Sequence, residues 1–127
     1  MGLTSSAEKS YVGQDNRSES RFGYCLNVVS DGIELTTANI SMRGAQLCCP
    51  LMRYKGFQSN CRADHVRLGL KVPQTNKPVM VVAAVRYANG CDDEMLIGVE
   101  FLEFEHKDRE TWEQFIRSIG LERRQVN

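Results

Sequence analysis

Apolar and polar residues alternate in short runs along most of this chain, and this alternation favours a fold built from β-strands. The clearest run covers residues 65–72, where Val66, Leu68, Leu70 and Val72 share one face. A strand with one apolar face must pack that face against a core. The same alternation predicts six strands, at residues 22–28, 33–37, 45–49, 65–72, 79–88 and 95–104.

Turn signals separate the alternating runs. Ser30-Asp31-Gly32 predicts a tight hairpin after the first strand, because glycine adopts positive φ without steric cost. Asn89-Gly90 predicts the turn between the last two strands. Residues 51–64 show no clean period after Pro50, and we therefore expect a loop there.

The period changes near the carboxyl end of the chain. Trp112, Phe115, Ile116 and Ile119 follow helical spacing and form one apolar stripe. The stripe predicts a single amphipathic helix that packs on the sheet.

These elements together predict an all-β fold, in which six short strands form a small antiparallel barrel or sandwich, followed by a C-terminal helix. We expect the helix to begin at Asp108 and to end at Gly120. Residues 1–15 are polar and predict a flexible N-terminal arm, residues 16–120 form the predicted domain, and residues 121–127 form a tail.

Length and charge exclude one class of function. A chain of 127 residues fits a single domain. Its 16 basic and 16 acidic residues give zero net charge, whereas a non-specific nucleic-acid binder would carry a basic excess. A small local cluster of arginines aimed at one or two phosphates is still compatible with this balance.

The five cysteines show no metal-ligand spacing with each other or with the two histidines. We therefore expect reduced thiols in a cytoplasmic protein, with no metal and no other cofactor. No apolar run is long enough to span a membrane, so we expect no membrane insertion. The adjacent carboxylates of Asp92, Asp93 and Glu94 have no accompanying histidine, which argues against an enzyme.

Two short motifs carry the candidate binding chemistry. Arg17 and Arg21 stand four residues apart, just before the first predicted strand. Each guanidinium can donate two parallel hydrogen bonds to a phosphate or to the O6/N7 edge of guanine. Asn39, Ser41 and Gly44 follow the second strand. The amide and the hydroxyl can hydrogen-bond guanine or phosphate, and the glycine permits a sharp turn or a close ligand approach.

The predicted hairpin places these motifs together. The start of its first strand lies beside the end of its second strand, so both motifs should meet at one rim of the barrel. Each motif also has a purely structural interpretation. The arginines could form a solvated array with Glu19, and Asn39 and Ser41 could bond only to the local backbone of a turn.

The motifs, followed by VVAAVRYANG, IGVEFLEF and a terminal amphipathic helix, resemble the PilZ domain family. The hallmark of that family is RxxxR followed by (D/N)xSxxG. The resemblance covers nearly the whole chain and implies a six-stranded barrel that binds the bacterial second messenger cyclic di-GMP. Arg17 and Arg21 match the first hallmark, and Asn39, Ser41 and Gly44 match the second.

The chain departs from the family pattern in two places. Asn39 stands where the family more often has Asp, which removes a charge-assisted hydrogen bond and also a negative charge beside a dianion. The segment 51–64 is longer than the fold requires, and we interpret it as a partner-specific insertion.

The resemblance implies a receptor in which cyclic di-GMP binds at the rim and orders the N-terminal arm. The ordered arm would then signal to a protein partner, in motility or biofilm regulation. The alternative is a PilZ-fold protein-interaction module that binds no nucleotide, as in pilus assembly. The intact RxxxR and NxSxxG motifs favour the receptor.

Overall fold

The computed structural model describes residues 20–126. Within this range the chain forms seven strands and two helices. In chain order they are β1 (Arg21–Phe22), β2 (Asn27–Ser30), β3 (Ile33–Ser41), β4 (Gly44–Pro50), α1 (Leu51–Asn60), β5 (His65–Leu70), β6 (Val79–Cys91), β7 (Glu94–Phe104) and α2 (Asp108–Val126).

Six of these strands close into a barrel in the order β3, β2, β5, β6, β7, β4, and β4 returns to pair with β3. Every pairing is antiparallel. The short β1 pairs with the end of β3, in line with β2. The predicted six-stranded antiparallel barrel with a C-terminal helix is confirmed, whereas the predicted arm at residues 1–15 lies outside the described residues.

The first predicted strand, residues 22–28, is wrong as a continuous element, because an irregular segment separates β1 from β2. The buried hydroxyl of Thr37 holds this segment. It accepts a hydrogen bond from the Leu26 N–H at 2.8 Å and donates one to the Tyr24 carbonyl at 2.6 Å. The alternation of side chains persists through the break, since Leu26 and Val28 are both buried, and so does not reveal it.

The barrel interior contains the apolar faces that the alternation predicted. Val66, Leu68, Leu70 and Val72 are each no more than 3% exposed. α2 covers the barrel with the predicted apolar stripe, whose buried members are Trp112, Phe115, Ile116 and Ile119. The Trp112 ring also makes an edge-on contact with Phe101 of β7, with ring centroids 5.4 Å apart.

The prediction of a loop at residues 51–64 is wrong, because α1 occupies residues 51–60. Phe57 is the one buried residue of this helix and packs into the core at 1% exposure. A single buried residue leaves no periodic apolar stripe in the sequence. The helix also runs close to β3, since a Cβ atom on Gly56 would lie 2.9 Å from Cδ1 of Ile33.

The turn predicted at Asn89-Gly90 is also wrong. Both residues continue β6, and the chain reverses at Asp92 and Asp93 instead. β7 pairs with β4 up to the pair formed by Glu94 and Pro50. This long-range pairing extends the hairpin of β6 and β7 beyond the turn predicted at Asn89-Gly90.

The predicted helix end at Gly120 is wrong, because α2 continues to Val126. Glycine ends a helix when its backbone turns to positive φ. Among the described glycines only Gly32 has a positive φ. Gly120 keeps a helical backbone, which costs about 1 kcal/mol relative to alanine. The preceding turns of α2, which pack on the barrel, offset this cost.

No helix in residues 20–126 is long and apolar enough to cross a membrane. The five cysteines, all of which lie in this range, form no disulfide. No cluster of histidine, cysteine and carboxylate side chains suited to a metal ion occurs among the described residues.

Candidate ligand-binding site

Arg21 and Asn39 bring the two sequence motifs together at one rim of the barrel. Arg21 of β1 pairs with Ser41 of β3, two residues beyond Asn39. The Arg21 guanidinium donates a hydrogen bond from Nη1 to Oδ1 of Asn39 at 2.9 Å. Arg17, the first arginine of the pair, lies outside the described residues.

A row of side chains continues from Asn39 across the outer face of the sheet. In register, Asn39 pairs with Gln46, Gln46 with Gly98, and Gly98 with Tyr87. Nδ2 of Asn39 donates to Oε1 of Gln46 at 3.1 Å, and Nε2 of Gln46 donates to the Tyr87 hydroxyl at 3.0 Å. The amide of Asn39 is therefore fixed from both sides, by Arg21 at its oxygen and by Gln46 at its nitrogen.

Gly98 makes this row possible because it has no side chain. The Tyr87 ring lies over its backbone, and a Cβ atom at Gly98 would be 2.0 Å from Cε2 of that ring. The ring can therefore span β7 and reach Gln46 on β4.

Ser41 lies beneath the rim, not on its surface. Its side chain is fully buried. Oγ accepts a hydrogen bond from the Gly44 N–H at 3.1 Å and lies 3.2 Å from the Gly44 carbonyl, to which it donates. The hydroxyl thus fixes the tight connection between β3 and β4, in the manner of a local side-chain-to-backbone turn.

Gly44 is required by the packing of β4 against β7. A Cβ atom at this position would lie 2.4 Å from the backbone oxygen of Val99, which is too close for any side chain. The glycine therefore permits a close backbone approach within the barrel.

Trp112 connects α2 to the same turn. Its buried indole Nε1–H donates to the Ser41 carbonyl at 3.1 Å. The carboxyl-terminal helix is thereby anchored to the backbone that carries the second motif.

A depression of about 350 Å³ opens beside these residues on the outer surface. Three arginines line it, Arg21 of β1, Arg43 of the β3–β4 turn and Arg86 of β6, together with Tyr87 and Glu100. The Arg86 guanidinium binds Glu100, with Nε donating to Oε1 at 2.8 Å. Among the described residues that line the depression, three carry guanidinium groups and one carries a carboxylate, and this balance suits an anion.

Sequence reasoning did not identify four of the residues at this site, namely Arg43, Gln46, Arg86 and Tyr87. Arg43 occupies a variable position inside the second motif, and Gln46 belongs to an ordinary strand. Arg86 is the extra residue of a β-bulge, because Val85 pairs with Val99 and Tyr87 with the adjacent Gly98. The bulge brings neighbouring side chains of β6 to the same depression, which a strict period of two does not predict.

Comparison with known proteins agrees with this architecture. Residues 15–118 match the family model of the PilZ domain. No curated protein matches the sequence.

Five chains of solved structure match, among them the Bacillus subtilis inhibitor of motility, MotI/DgrA. It superposes with a TM-score of 0.65 at 17% identity, over 86% of this chain and 53% of that one. The chain thus spans about half the length of that protein, and the likeness shows a common fold. Since the family model covers most of the sequence, from residue 15 to residue 118, the chain belongs to the PilZ domain family.

Proposed function

We propose that this chain is a receptor for cyclic di-GMP, which is the ligand of the PilZ family. The observation that carries the proposal is the hydrogen bond between Arg21 and Asn39, which joins the two motifs beside a depression lined by arginines. Cyclic di-GMP has two phosphodiester charges and two guanines. Guanidinium groups complement both kinds of group.

In this proposal Arg17 and Arg21 grip the phosphates and guanine edges, and Asn39 hydrogen-bonds a guanine. Ser41 and Gly44 contribute indirectly, by holding the turn beside Asn39. The Ser41 hydroxyl is hydrogen-bonded to the Gly44 backbone, and Gly44 packs closely against β7. The arginines and Asn39 are therefore the residues expected to contact the ligand. Preorganisation of Asn39 by Gln46 lowers the entropy lost on binding.

Binding would be transmitted through the segment that contains Arg17. The dinucleotide draws the residues that precede β1 onto the rim, and the ordered segment presents a surface to a protein partner. Trypsin tests this step directly, because Lys9 and Arg17 are cleavage sites within the segment. Cyclic di-GMP should slow cleavage at these sites relative to cleavage after Arg62, which lies in the exposed turn between α1 and β5.

Calorimetric titration with cyclic di-GMP tests the binding step. Arg17→Ala, Arg21→Ala and Asn39→Ala should each weaken binding, and loss of one charge-assisted contact of about 1.5–3 kcal/mol corresponds to roughly ten- to a hundredfold. Arg62→Ala is a matched control, since Arg62 is exposed and follows α1, away from the rim. Absence of binding heat, or equal binding by all four variants, would contradict the proposal.

One observation favours a second candidate function, a PilZ-fold module that acts only through protein contacts. The hydroxyl of Ser41 is fully used by the backbone of Gly44, as in a turn with a purely structural role. This candidate predicts that the protein captures its partner equally well with and without cyclic di-GMP.

A binding module, and not an enzyme, fits the family. Cyclic di-GMP incubated with the protein and Mg²⁺ should be recovered intact by chromatography. Appearance of the linear dinucleotide would contradict this part of the proposal.

A further inference from the structure

The carboxyl-terminal half of β6 leaves one edge of the sheet unpaired. β5 pairs with β6 only from Val79 to Ala84, and the next N–H, of Val85, donates to the Asp64 carbonyl at 2.8 Å. Beyond Val85, no described residue pairs with β6 on this side. Residues 86–91 therefore form a free strand edge.

The register of the hairpin identifies the backbone groups that point outward along this edge. Cys91 pairs with Glu94 across a two-residue turn, and such a closing pair exchanges both of its backbone hydrogen bonds. Hydrogen-bonded and non-bonded pairs then alternate along the hairpin. The backbone groups of Asn89 therefore bond to β7, whereas the N–H and carbonyl groups of Ala88 and Gly90 point away from it. The edge thus presents two N–H groups and two carbonyls.

The edge lacks the features that usually prevent strand pairing. Residues 86–91 contain no proline and no lysine, and the bulge at Arg86 lies only at their start. The inward-facing positions carry small residues, Ala88 and Gly90. Beside them a cavity of about 310 Å³ lies between α1 and the hairpin, lined by Tyr54 and Val85 among others. An incoming strand with similarly small inward side chains fits next to α1.

We propose that this edge pairs with the same edge of a second copy of the chain, antiparallel and centred on Asn89. In this register Ala88 of one copy lies opposite Gly90 of the other, and each of the two pairs exchanges two backbone hydrogen bonds. The arrangement is two-fold symmetric, so both copies use the same surface. The inward-facing residues of the second copy are again Ala88 and Gly90. They are small enough to fit next to α1.

The charges along the edge favour a second copy of the chain as its partner. Arg86, whose guanidinium also binds Glu100 of its own chain, stands at one end, and Asp92 and Asp93 stand at the other. Antiparallel self-pairing places the acidic turn of each copy beside the arginine of its partner. Opposite charges directly across paired strands stabilise the pairing, and like charges destabilise it.

Charge variants at the symmetry axis test the proposal. Asn89 is exposed and would lie opposite its own symmetry copy, so Asn89→Lys and Asn89→Asp should each place two like charges together. By sedimentation velocity in the absence of nucleotide, the unmodified chain should dimerise as its concentration rises. Each variant should dimerise about two- to fivefold more weakly, and an equimolar mixture of the two should recover dimers.

Asn76→Lys is the matched control, because it makes the same chemical change in an exposed loop before β6. Circular dichroism would verify that every variant is folded. The proposal is overturned if the unmodified chain stays monomeric at all concentrations. It is equally overturned if Asn89→Lys dimerises as well as the control, or if mixing the two Asn89 variants restores nothing.

Discussion

The Tyr87 ring lies directly over Gly98, so that a Cβ atom on the glycine would be 2.0 Å from Cε2 of the ring. This relationship allows Tyr87 to reach Gln46 across an intervening strand. The hydrogen-bonded row that holds Asn39 in place therefore depends on the absence of a side chain on β7.

We expect Gly98→Ala to displace the Tyr87 ring and break its hydrogen bond to Gln46. Tyr87 is 44% exposed and its ring can swing outward, so the free energy of unfolding should fall by only about 1 kcal/mol. A double-mutant cycle in urea checks the cause. In a Tyr87→Ala background the effect of Gly98→Ala should vanish, and an undiminished effect would mean that the glycine matters for some other reason.

Gly44→Ala should be far more damaging than Gly98→Ala. Its Cβ atom would meet the Val99 backbone oxygen at 2.4 Å, and a paired strand cannot move aside as a tyrosine ring can. We expect a loss of about 3 kcal/mol, at the upper end for overpacking, measured as a lower urea midpoint. Gly23→Ala is the control, because a Cβ atom there meets nothing within 4 Å. Equal midpoints for the two variants would contradict the packing argument.

The sequence predicted the elements that depend on local patterns. The alternation around Val66 and Leu68 and the stripe through Trp112 both report which side chains are buried, and both were confirmed. α1 was missed because Phe57 is its only buried residue. The turn at Asp92-Asp93 was missed because β4 and β7 extend the hairpin by pairing far apart in sequence.

The same distinction applies to the candidate site. Pairing of the first strands predicted that Arg21 and Asn39 would meet. In the structure, Nη1 of Arg21 lies 2.9 Å from Oδ1 of Asn39. The contributions of Gln46 and Tyr87 depend on the register of four strands, which no local pattern encodes. The site assignments at Arg17, Arg21, Asn39, Ser41 and Gly44 stay predictions.

Ser41→Ala should lower stability because it leaves the buried N–H of Gly44 without its partner. The expected loss is about 2 kcal/mol, since an unsatisfied buried donor bears its full desolvation cost. Chemical denaturation measures this effect. Ser59→Ala removes an exposed hydroxyl that donates to the Lys55 carbonyl and should change stability by less than about 0.5 kcal/mol. A Ser41→Ala protein as stable as this control would show that the turn does not need the hydroxyl.

The five thiols should react in two groups with a disulfide reagent such as Ellman's. Cys25 and Cys91 are exposed and should react first. Burial raises the pKa values of Cys48, Cys49 and Cys61, and for Cys48 the nearby Glu94 adds to the effect. A raised pKa lowers the reactive thiolate fraction at a given pH, so these three should react slowly.

Raising the pH should accelerate the slow group, and unfolding in guanidinium should make all five thiols react together. Mass spectrometry of partially labelled protein identifies the residues. Early labelling of Cys49 in the folded protein would contradict the buried position assigned to it.

The ion pair between Arg67 and Glu105 should make stability depend on pH on the acid side. The guanidinium donates two hydrogen bonds to the carboxylate, one of them from Nη2 to Oε1 at 3.0 Å, and this lowers the pKa of Glu105. A carboxyl whose pKa is lower in the folded state stabilises the fold above its unfolded pKa of about 4.3. That contribution is lost as the pH falls through the lower, folded-state pKa.

Urea denaturation of Glu105→Gln at pH 7 and at acid pH tests this dependence. The variant should be less stable than the unmodified chain at pH 7, and the difference should shrink as the pH falls from the unfolded pKa through the lower folded-state pKa and Glu105 becomes protonated. Glu103→Gln is the control, because Glu103 is exposed on β7 and forms no ion pair with a described residue. A difference between the Glu105→Gln variant and the unmodified chain that stays constant down to the lowest pH would mean that the side chain acts by packing and not by charge.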